Sequence, residues 1–160
     1  MEMTNNFLNF KPTHLYCYVK NNYIDESKIT TEELYMRILQ DIELVLHILK
    51  VPTSRVGYDY WKDAILYRIV CEKDHLSVCH ELYPVIAKKH NCSILSVERA
   101  MRLCFEETLY NSKNENNYII SFMKFSLINP HNSELLRKFA DLIVSNEFRR
   151  FKNSIKIDVL

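Results

Sequence analysis

Glycine is nearly absent from this sequence, since Gly57 is the only one among 160 residues. Loops that cradle phosphates and turns that bind dinucleotides need several glycines, because only a residue without a side chain lets backbone N–H groups come close to the ligand. The sequence therefore excludes a P-loop nucleotide-binding protein and a dinucleotide-binding α/β domain.

Long apolar runs are also missing. No uncharged run reaches the roughly 18 to 20 residues that cross a membrane, and the best candidate, 118–128, contains Lys124. The N-terminus, MEMTNNFLNFKPTH, lacks the basic start and the apolar stretch of a secretory signal. We therefore expect a cytoplasmic protein with no membrane partner.

Paired cysteines are a third absence. The five cysteines form no CxxC motif, and an odd number of them suits a reducing compartment. Cys71, His75 and Cys79 are spaced to align three zinc ligands on one helix, but structural zinc usually has four protein ligands.

The catalytic motifs GxSxG and HExxH are missing as well. We expect no metal, no cofactor and no enzymatic activity.

Helical periodicity is what the sequence does have. Thr30 followed by Glu33 predicts a capping box at the start of a helix over 31–49. The apolar positions of this helix form one stripe: Leu34, Ile38, Ile42, Val45, Leu46 and Leu49. Further helices are predicted at 58–73, at 84–90, at 94–110, within 118–128, and after a cap at Asn132 or Ser133. The expected fold class is all-α, a compact domain of about six to seven helices.

The two ends of the chain differ from its middle. Residues 1–30 have no sustained period apart from a short strand suggested over 15–19, and we expect them to be an N-terminal appendage to a helical domain over 31–150. Net charge is only +1, but residues 22–44 are acidic and the end of the chain is basic: Arg149, Arg150, Lys152 and Lys156. The basic tail, 151–160, is either a solvated helix end or an arm that contacts phosphates.

Residues 84–110 predict a short helix, a tight turn and a longer helix, which is the geometry of a helix-turn-helix. Asn91 is suited to the left-handed conformation that ends the first helix, and Ser93 is suited to cap the second. At about 100° per residue, one side of the second helix carries Val97, Ala100, Met101 and Cys104, and the opposite side carries Glu98, Arg99 and Arg102. We expect the apolar side to dock and the charged side to face outward.

The charged side has the chemistry of a base reader. Arginine donates two hydrogen bonds to guanine O6 and N7, and glutamate accepts one from cytosine N4. The candidate base-reading residues are therefore Glu98, Arg99 and Arg102, and the candidates for backbone contacts are Lys88, Lys89, Ser93 and Ser96. The alternative is an ordinary helical hairpin, in which Glu98 and Arg102 form a solvated pair worth only ~0.3 kcal/mol.

Two motifs in this region resemble a known family. YPVIAKKH from Tyr83 and SVERAMR from Ser96 are similar to the LYPDIAKK and SRVERAIRHAIE patterns of the C-terminal effector domain of the master sporulation response regulator, stage-zero sporulation protein A. The same family's VP, GY, DAI and PTNSEF patterns resemble Val51-Pro52, Gly57-Tyr58, the DAI at 63–65, and Pro130 with Asn132-Ser133-Glu134. The resemblance covers residues 44–147.

The resemblance implies a helical domain that reads a short box like TGTCGAA in the major groove, through residues that fall on Glu98, Arg99 and Arg102 here. Two flanking positions depart from the pattern, because an arginine is replaced by Ser96 and a histidine by Leu103. The segment 110–124, which in the family faces RNA polymerase, matches poorly. Since the family's phosphate-receiving domain has no room before residue 30, we expect no control by aspartate phosphorylation.

Together these features predict a sequence-specific DNA-binding transcriptional regulator related to sporulation control, with double-stranded DNA as its partner and RNA polymerase as a second candidate. The alternative is a protein-interaction module that binds or antagonises the full-length regulator without reading DNA. A homodimer through 31–49 would place two copies on adjacent half-sites. The aromatic residues of the first half, including Tyr18, Tyr60 and Trp61, are either core or a stacking platform for single strands.

Overall fold

The computed structural model describes residues 13–71, 76–112, 118–124 and 131–158. All regular structure in these ranges is helical, which confirms the all-α prediction. The ranges hold eight α-helices: α1 (His14–Asn21), α2 (Thr31–Ile48), α3 (Val56–Val70), α4 (Tyr83–Lys89), α5 (Ile94–Ser112), α6 (Tyr118–Lys124), α7 (Asn132–Val144) and α8 (Asn146–Asp158). A short 3₁₀ turn, Glu26–Lys28, precedes α2, and a π-helical turn, Val78–Leu82, precedes α4.

The start of α2 confirms the predicted capping box. The Glu33 backbone N–H donates to Thr30 Oγ1 at 3.1 Å, and the Thr30 N–H donates to the Glu33 carboxylate at 2.9 Å. The helix ends at Ile48, and Lys50 turns the chain with a φ of 60° before Pro52. Local signals therefore define both ends of α2.

The predicted stripe of α2 forms one wall of the core. Its six side chains are at most 8% exposed: Leu34, Ile38, Ile42, Val45, Leu46 and Leu49. They face α3 and α7, whose Trp61 and Phe139 rings lie 5.5 Å apart. Tyr18 and Tyr60 are buried too, so these rings belong to the core and not to a stacking platform. Because the stripe is occupied by the protein's own core, it does not supply the homodimer surface predicted for 31–49.

Residues 14–21 correct two expectations. The strand suggested over 15–19 is wrong, because this segment is helix α1, which Thr13 caps by accepting the Tyr16 N–H at 3.1 Å. Alternation over five residues is hard to distinguish from helical periodicity, which explains the error. Tyr18 is buried and the Asn21 amide donates to the Val144 carbonyl at 2.7 Å. This part of the expected appendage therefore packs on the core, while residues 1–12 lie outside the described residues.

The expected basic tail is largely helix α8, whose side chains are described as far as residue 155. Lys152 Nζ donates to Asp41 Oδ2 at 2.7 Å and to Asn22 Oδ1 at 3.1 Å. The Tyr18 hydroxyl donates to the same Asp41 oxygen at 2.7 Å, and burial is the main reason that the pKa of Tyr18 is raised. Lys152 is therefore neither part of a solvated helix end nor available for phosphates, because its ammonium group binds Asp41 of α2 within the same chain.

Other boundaries shift by a few residues. The second predicted helix runs over Val56–Val70 and not over 58–73. Helix α7 begins at Asn132 with His131 as its N-cap, and no side chain caps it, so the cap predicted at Asn132 or Ser133 is wrong. Of the three residues weighed as zinc ligands, His75 lies outside the described residues, Cys71 is half-buried and Cys79 is exposed. Within the described ranges, no helix is long and apolar enough to cross a membrane.

The only glycine lies where two helices touch. Helix α3 packs more extensively against α5 than against any other described helix. A Cβ atom on residue 57 would lie 2.3 Å from the Ala100 carbonyl oxygen and 2.5 Å from Cys104 Cβ. The φ angle of Gly57 is not positive, so this position requires space and not an unusual backbone conformation. The absence of a side chain at Gly57 lets α5 approach α3 backbone to backbone.

We expect Gly57→Ala to lower the free energy of unfolding by about 1 to 3 kcal/mol, because the added methyl group overpacks a contact with backbone atoms that cannot rotate away. Alanine is the better helix former by about 1 kcal/mol, so the propensity alone would stabilise the protein. Urea denaturation measures the net change. Asp59→Ala, which removes only an exposed ion pair with Lys62 on the same helix, is the matched control and should change stability by less than about 0.5 kcal/mol. A Gly57→Ala variant as stable as the parent would contradict the close approach.

We expect Lys152→Met to lower the free energy of unfolding by about 3 kcal/mol, because it leaves the nearly buried Asp41 carboxylate without its cation. Arg150→Met is the control, since Arg150 is exposed on the same helix and forms no ion pair with a described residue. That variant should lose less than about 0.5 kcal/mol. Chemical denaturation at neutral pH compares the two, and equal losses would show that the Asp41 cluster contributes nothing particular.

Candidate nucleic-acid interface

The helix-turn-helix predicted at 84–110 is present as α4 and α5, joined by residues 90–93. Asn91 has a φ of 53°, the left-handed conformation predicted for the end of α4. Ser93 Oγ accepts the Ser96 N–H at 3.1 Å, which is the predicted cap of α5. Pro84 lies in the first turn of α4, where its missing N–H leaves no bond unmade. The turn geometry thus follows from these three local signals.

One face of α5 is fixed against the core, as predicted. Val97, Met101 and Cys104 are fully or almost fully buried, together with Phe105, whereas Ala100 is only half-buried. The Trp61 indole N–H donates to the Met101 carbonyl at 2.9 Å in the interior. This bond and the contact at Gly57 fix both the rotation and the depth of α5, so the direction of its outer face is fixed too.

The outer face of α5 brings the three predicted base-reading residues together. Arg99 is exposed, and among the described residues it forms no ion pair. The Arg102 side chain is 48% exposed, and its Nε lies 3.3 Å from Glu98 Oε1. Its Nη1 also lies 3.6 Å from Glu106 Oε1. The solvated pair weighed as the alternative therefore exists, and it lies on the same face as a free arginine.

The four candidates for backbone contacts are in different situations. Lys88 is exposed and forms no ion pair with a described residue. Lys89 Nζ lies 2.7 Å from Asp63 of α3, whose other carboxylate oxygen lies 2.6 Å from His90 Nε2. Ser93 and Ser96 are exposed, but their hydroxyl oxygens lie 2.8 Å from each other, and Ser93 also caps α5. Asp63 thus holds the end of α4 and partly neutralises Lys89.

The sequence reasoning missed the role of Asn132. Its amide Nδ2 donates to the Tyr83 hydroxyl at 3.0 Å and to the Glu98 carbonyl at 3.2 Å. The first residue of α7 is therefore bonded to both helices of the motif, and Tyr83 is buried, which raises its pKa. The only signal in the sequence was that Asn132 lies in one of the four resembling motifs, and a local cap explained it equally well.

The two helices of the motif together carry charges of both signs. The cations are Lys88, Lys89, Arg99 and Arg102, and the carboxylates Glu98 and Glu106 lie beside Arg102. Nearby, Arg55 Nε lies 2.8 Å from Glu107 Oε2, so a further cation next to α5 is already paired. Such a surface is suited to recognition of particular groups more than to general attraction of a polyanion.

A comparison with family models supports the resemblance seen in the sequence. The model described as "Sporulation initiation factor Spo0A C terminal" matches residues 42–143, which is more than half of the chain. The match contains both helices of the motif, Gly57, Asp63 and Asn132. No solved structure matches the chain.

The buried Cys104 thiol on α5 should make the stability of the protein depend on pH in the alkaline range. Burial, with a smaller effect of Glu107, raises the pKa of the Cys104 thiol to about 11 from an ordinary 9.0. Between these two values the unfolded chain releases the proton more readily than the folded chain, so the free energy of unfolding falls as pH rises, by up to about 1.4 kcal/mol per pH unit.

Cys104→Ala removes this contribution, so we expect the free energy of unfolding of the variant to fall less steeply with pH than that of the parent protein. Thermal or urea denaturation between pH 8.5 and about 11 measures both slopes, and all other titratable groups are common to both proteins. Parallel curves would contradict a raised pKa at Cys104. A difference in unfolding free energy between the two proteins that does not change with pH reflects only the loss of packing by the smaller side chain.

Proposed function

The chain belongs to the Spo0A C-terminal family of DNA-binding effector domains, and we propose that it is a transcriptional regulator of sporulation that reads DNA sequence through α5. The observation that carries the proposal is the outer face of α5, where Glu98, Arg99 and Arg102 share one side of a helix whose opposite side is fixed in the core. The proposal places the protein with DNA in the cytoplasm, as a regulator and not as an enzyme.

Arg99 has the simplest role in this proposal. Its guanidinium is exposed and forms no ion pair with a described residue, so it can donate two hydrogen bonds to guanine O6 and N7 without breaking an existing contact. It lies in the second turn of α5, and the N-terminal part of a recognition helix is the part that enters the major groove. Arg99 is therefore the leading specificity residue.

Arg102 and Glu98 act as a pair in this proposal. An exposed pair of this spacing contributes about 0.3 to 0.5 kcal/mol, whereas a good two-bond contact between arginine and guanine contributes about 1 to 3 kcal/mol. Exchanging one Glu98 contact for a base contact is thus favourable. Glu98, released or shared, can accept from a cytosine N4 amine in the same site.

Contacts with phosphates come from the start of the motif. Lys88 is exposed, and so are Ser93 and Ser96 at the N-terminal turn of α5, where the positive end of the helix dipole favours an anion. Lys89 contributes less than a free lysine, because Asp63 holds its charge. The proposal includes binding by the 160-residue chain without phosphorylation of a receiver aspartate.

A second candidate function has its own observation. Leu95 and Leu103 are exposed on the outer face of α5, and an exposed apolar surface is typical of sites that bind proteins. In that case the chain is a module that binds the full-length regulator or RNA polymerase and does not read DNA.

A homodimer would place two copies on paired half-sites in the first function. Because the apolar stripe of α2 is in the core, such a dimer would have to use the outside of α2, where Tyr35 and Met36 are exposed.

We expect Arg99→Ala and Arg102→Ala each to weaken binding to a duplex containing TGTCGAA by about 1 to 3 kcal/mol, with little change on a scrambled duplex. Lys88→Ala should weaken both duplexes alike and lower the slope of log Kd against log salt by about 1. Arg150→Ala, on α8, is the control and should change neither. Fluorescence anisotropy at two salt concentrations measures all four variants.

Two outcomes would overturn the proposal. If the arginine variants lose affinity equally on both duplexes, α5 contacts DNA without reading it. If the parent chain binds neither duplex, and no other duplex is selected from a random pool, the chain does not act on DNA. Capture of the full-length regulator by the chain, abolished by Arg99→Ala, would then favour the interaction module.

A further inference from the structure

Two leucines on the recognition helix are not explained by packing. Leu95 is 73% exposed and Leu103 is 47% exposed. Single exposed leucines are ordinary, but these two lie four residues before and four residues after Arg99, so all three side chains follow one row along the outer face of α5. Neither leucine belongs to the buried core or to the half-buried residues packed on it.

The row alternates between apolar and charged chemistry. A partner that covers it must bury two leucines while it accepts hydrogen bonds from Arg99 and Arg102. A purely apolar protein surface would leave these cations without acceptors, at a high cost in free energy. The floor of the DNA major groove meets both requirements, because guanine supplies two acceptors and thymine supplies the C5-methyl group.

The spacing fits neighbouring bases. Residues four apart on an α-helix are separated by about 6 Å along its axis, and successive bases of a strand rise by about 3.4 Å. The leucines therefore lie about two base steps on either side of the base that Arg99 contacts. Leu95 lies in the first turn of α5 and Leu103 in the third turn, so both remain within the part of the helix that a groove can contain.

We infer that Leu95 and Leu103 determine sequence specificity by contacting thymine C5-methyl groups on either side of the guanine read by Arg99. The inference rests on the proposed DNA-reading function and deepens it, since it names the base contacted by Leu103, which replaces the family's histidine, and the base contacted by Leu95. The box of this chain then carries thymines about two steps from that guanine. Because a leucine has no hydrogen-bonding group, the discrimination comes from the methyl group alone.

Deoxyuridine tests this directly, because it keeps every hydrogen-bonding group of thymidine and lacks only the methyl. The preferred box is first selected from random duplexes with the full 160-residue chain. Each thymine of the box is then replaced by deoxyuridine in turn, and Kd is measured by fluorescence anisotropy. We expect one replacement on each side of the Arg99 guanine to weaken binding by about fourfold, the effect of one buried methyl group.

The variants assign each methyl to a leucine. Leu95→Ala should bind thymine and deoxyuridine duplexes equally at one of the two positions, and Leu103→Ala should do so at the other. Val56→Ala, which shortens an exposed apolar side chain at the start of α3, is the matched control and should keep the fourfold difference at both. Since all three residues are exposed, unchanged melting temperatures will confirm that the variants fold.

The outcomes separate this inference from the function on which it rests. If a box is selected but deoxyuridine changes nothing, or if its effect persists in both leucine variants, the inference is wrong and DNA reading stands. If no box is selected at all, the proposed function fails and the inference fails with it. Leucine variants that keep their DNA affinity but lose binding to the full-length regulator would assign the row to a protein partner and overturn the inference.

Discussion

The arrangement of the site depends on how closely α5 can approach α3. At Gly57 the two helices touch through backbone atoms, since a Cβ there would lie 2.3 Å from the Ala100 carbonyl oxygen. One turn further along α3, the Trp61 indole donates to the Met101 carbonyl at 2.9 Å. The glycine sets the depth of the contact and the indole sets its register, so α5 can neither withdraw nor rotate without losing one of them. A fixed outer face is the condition for any readout of bases, because hydrogen bonds to base edges tolerate only small displacements.

Polar contacts from outside the motif hold its other parts. Asp63 of α3 binds Lys89 and His90 at the end of α4, and Asn132 of α7 binds Tyr83 at the start of α4 and the Glu98 carbonyl in α5. Three of the residues that resemble the family outside the motif, Gly57, Asp63 and Asn132, thus have a structural reason to be where they are. They position the motif through contacts that leave Arg99 and Arg102 exposed on the outer face of α5.

Sequence reasoning succeeded where the decisive contacts are local. The capping box of Thr30 and Glu33, the left-handed Asn91 and the Ser93 cap each involve residues within four positions of one another, and the two faces of α5 follow from helical geometry. It failed where partners are far apart in the chain: Tyr18 and Lys152 meet on Asp41, 23 and 111 residues away. For the site, the face shared by Glu98, Arg99 and Arg102 was predictable. That Asp63 neutralises Lys89 was not, because no local pattern links α3 to α4.

The mixed charge of the outer face bears on how such a domain separates a specific site from other DNA. Affinity for any sequence grows with the number of cations that neutralise phosphates, and here Asp63 holds Lys89 while Glu98 and Glu106 flank Arg102. Each carboxylate lowers the attraction to DNA in general and repels acceptor groups on bases that offer no donor. In the proposed function, Arg102 exchanges its carboxylates for a base most favourably where that base supplies two acceptors, since a two-bond contact with guanine contributes about 1 to 3 kcal/mol and the exposed ion pair about 0.3 to 0.5 kcal/mol. If α5 reads bases as proposed, the ion pairs that weaken binding to all sequences increase the ratio of specific to non-specific binding, which is the quantity that a regulator must maintain among many competing sites.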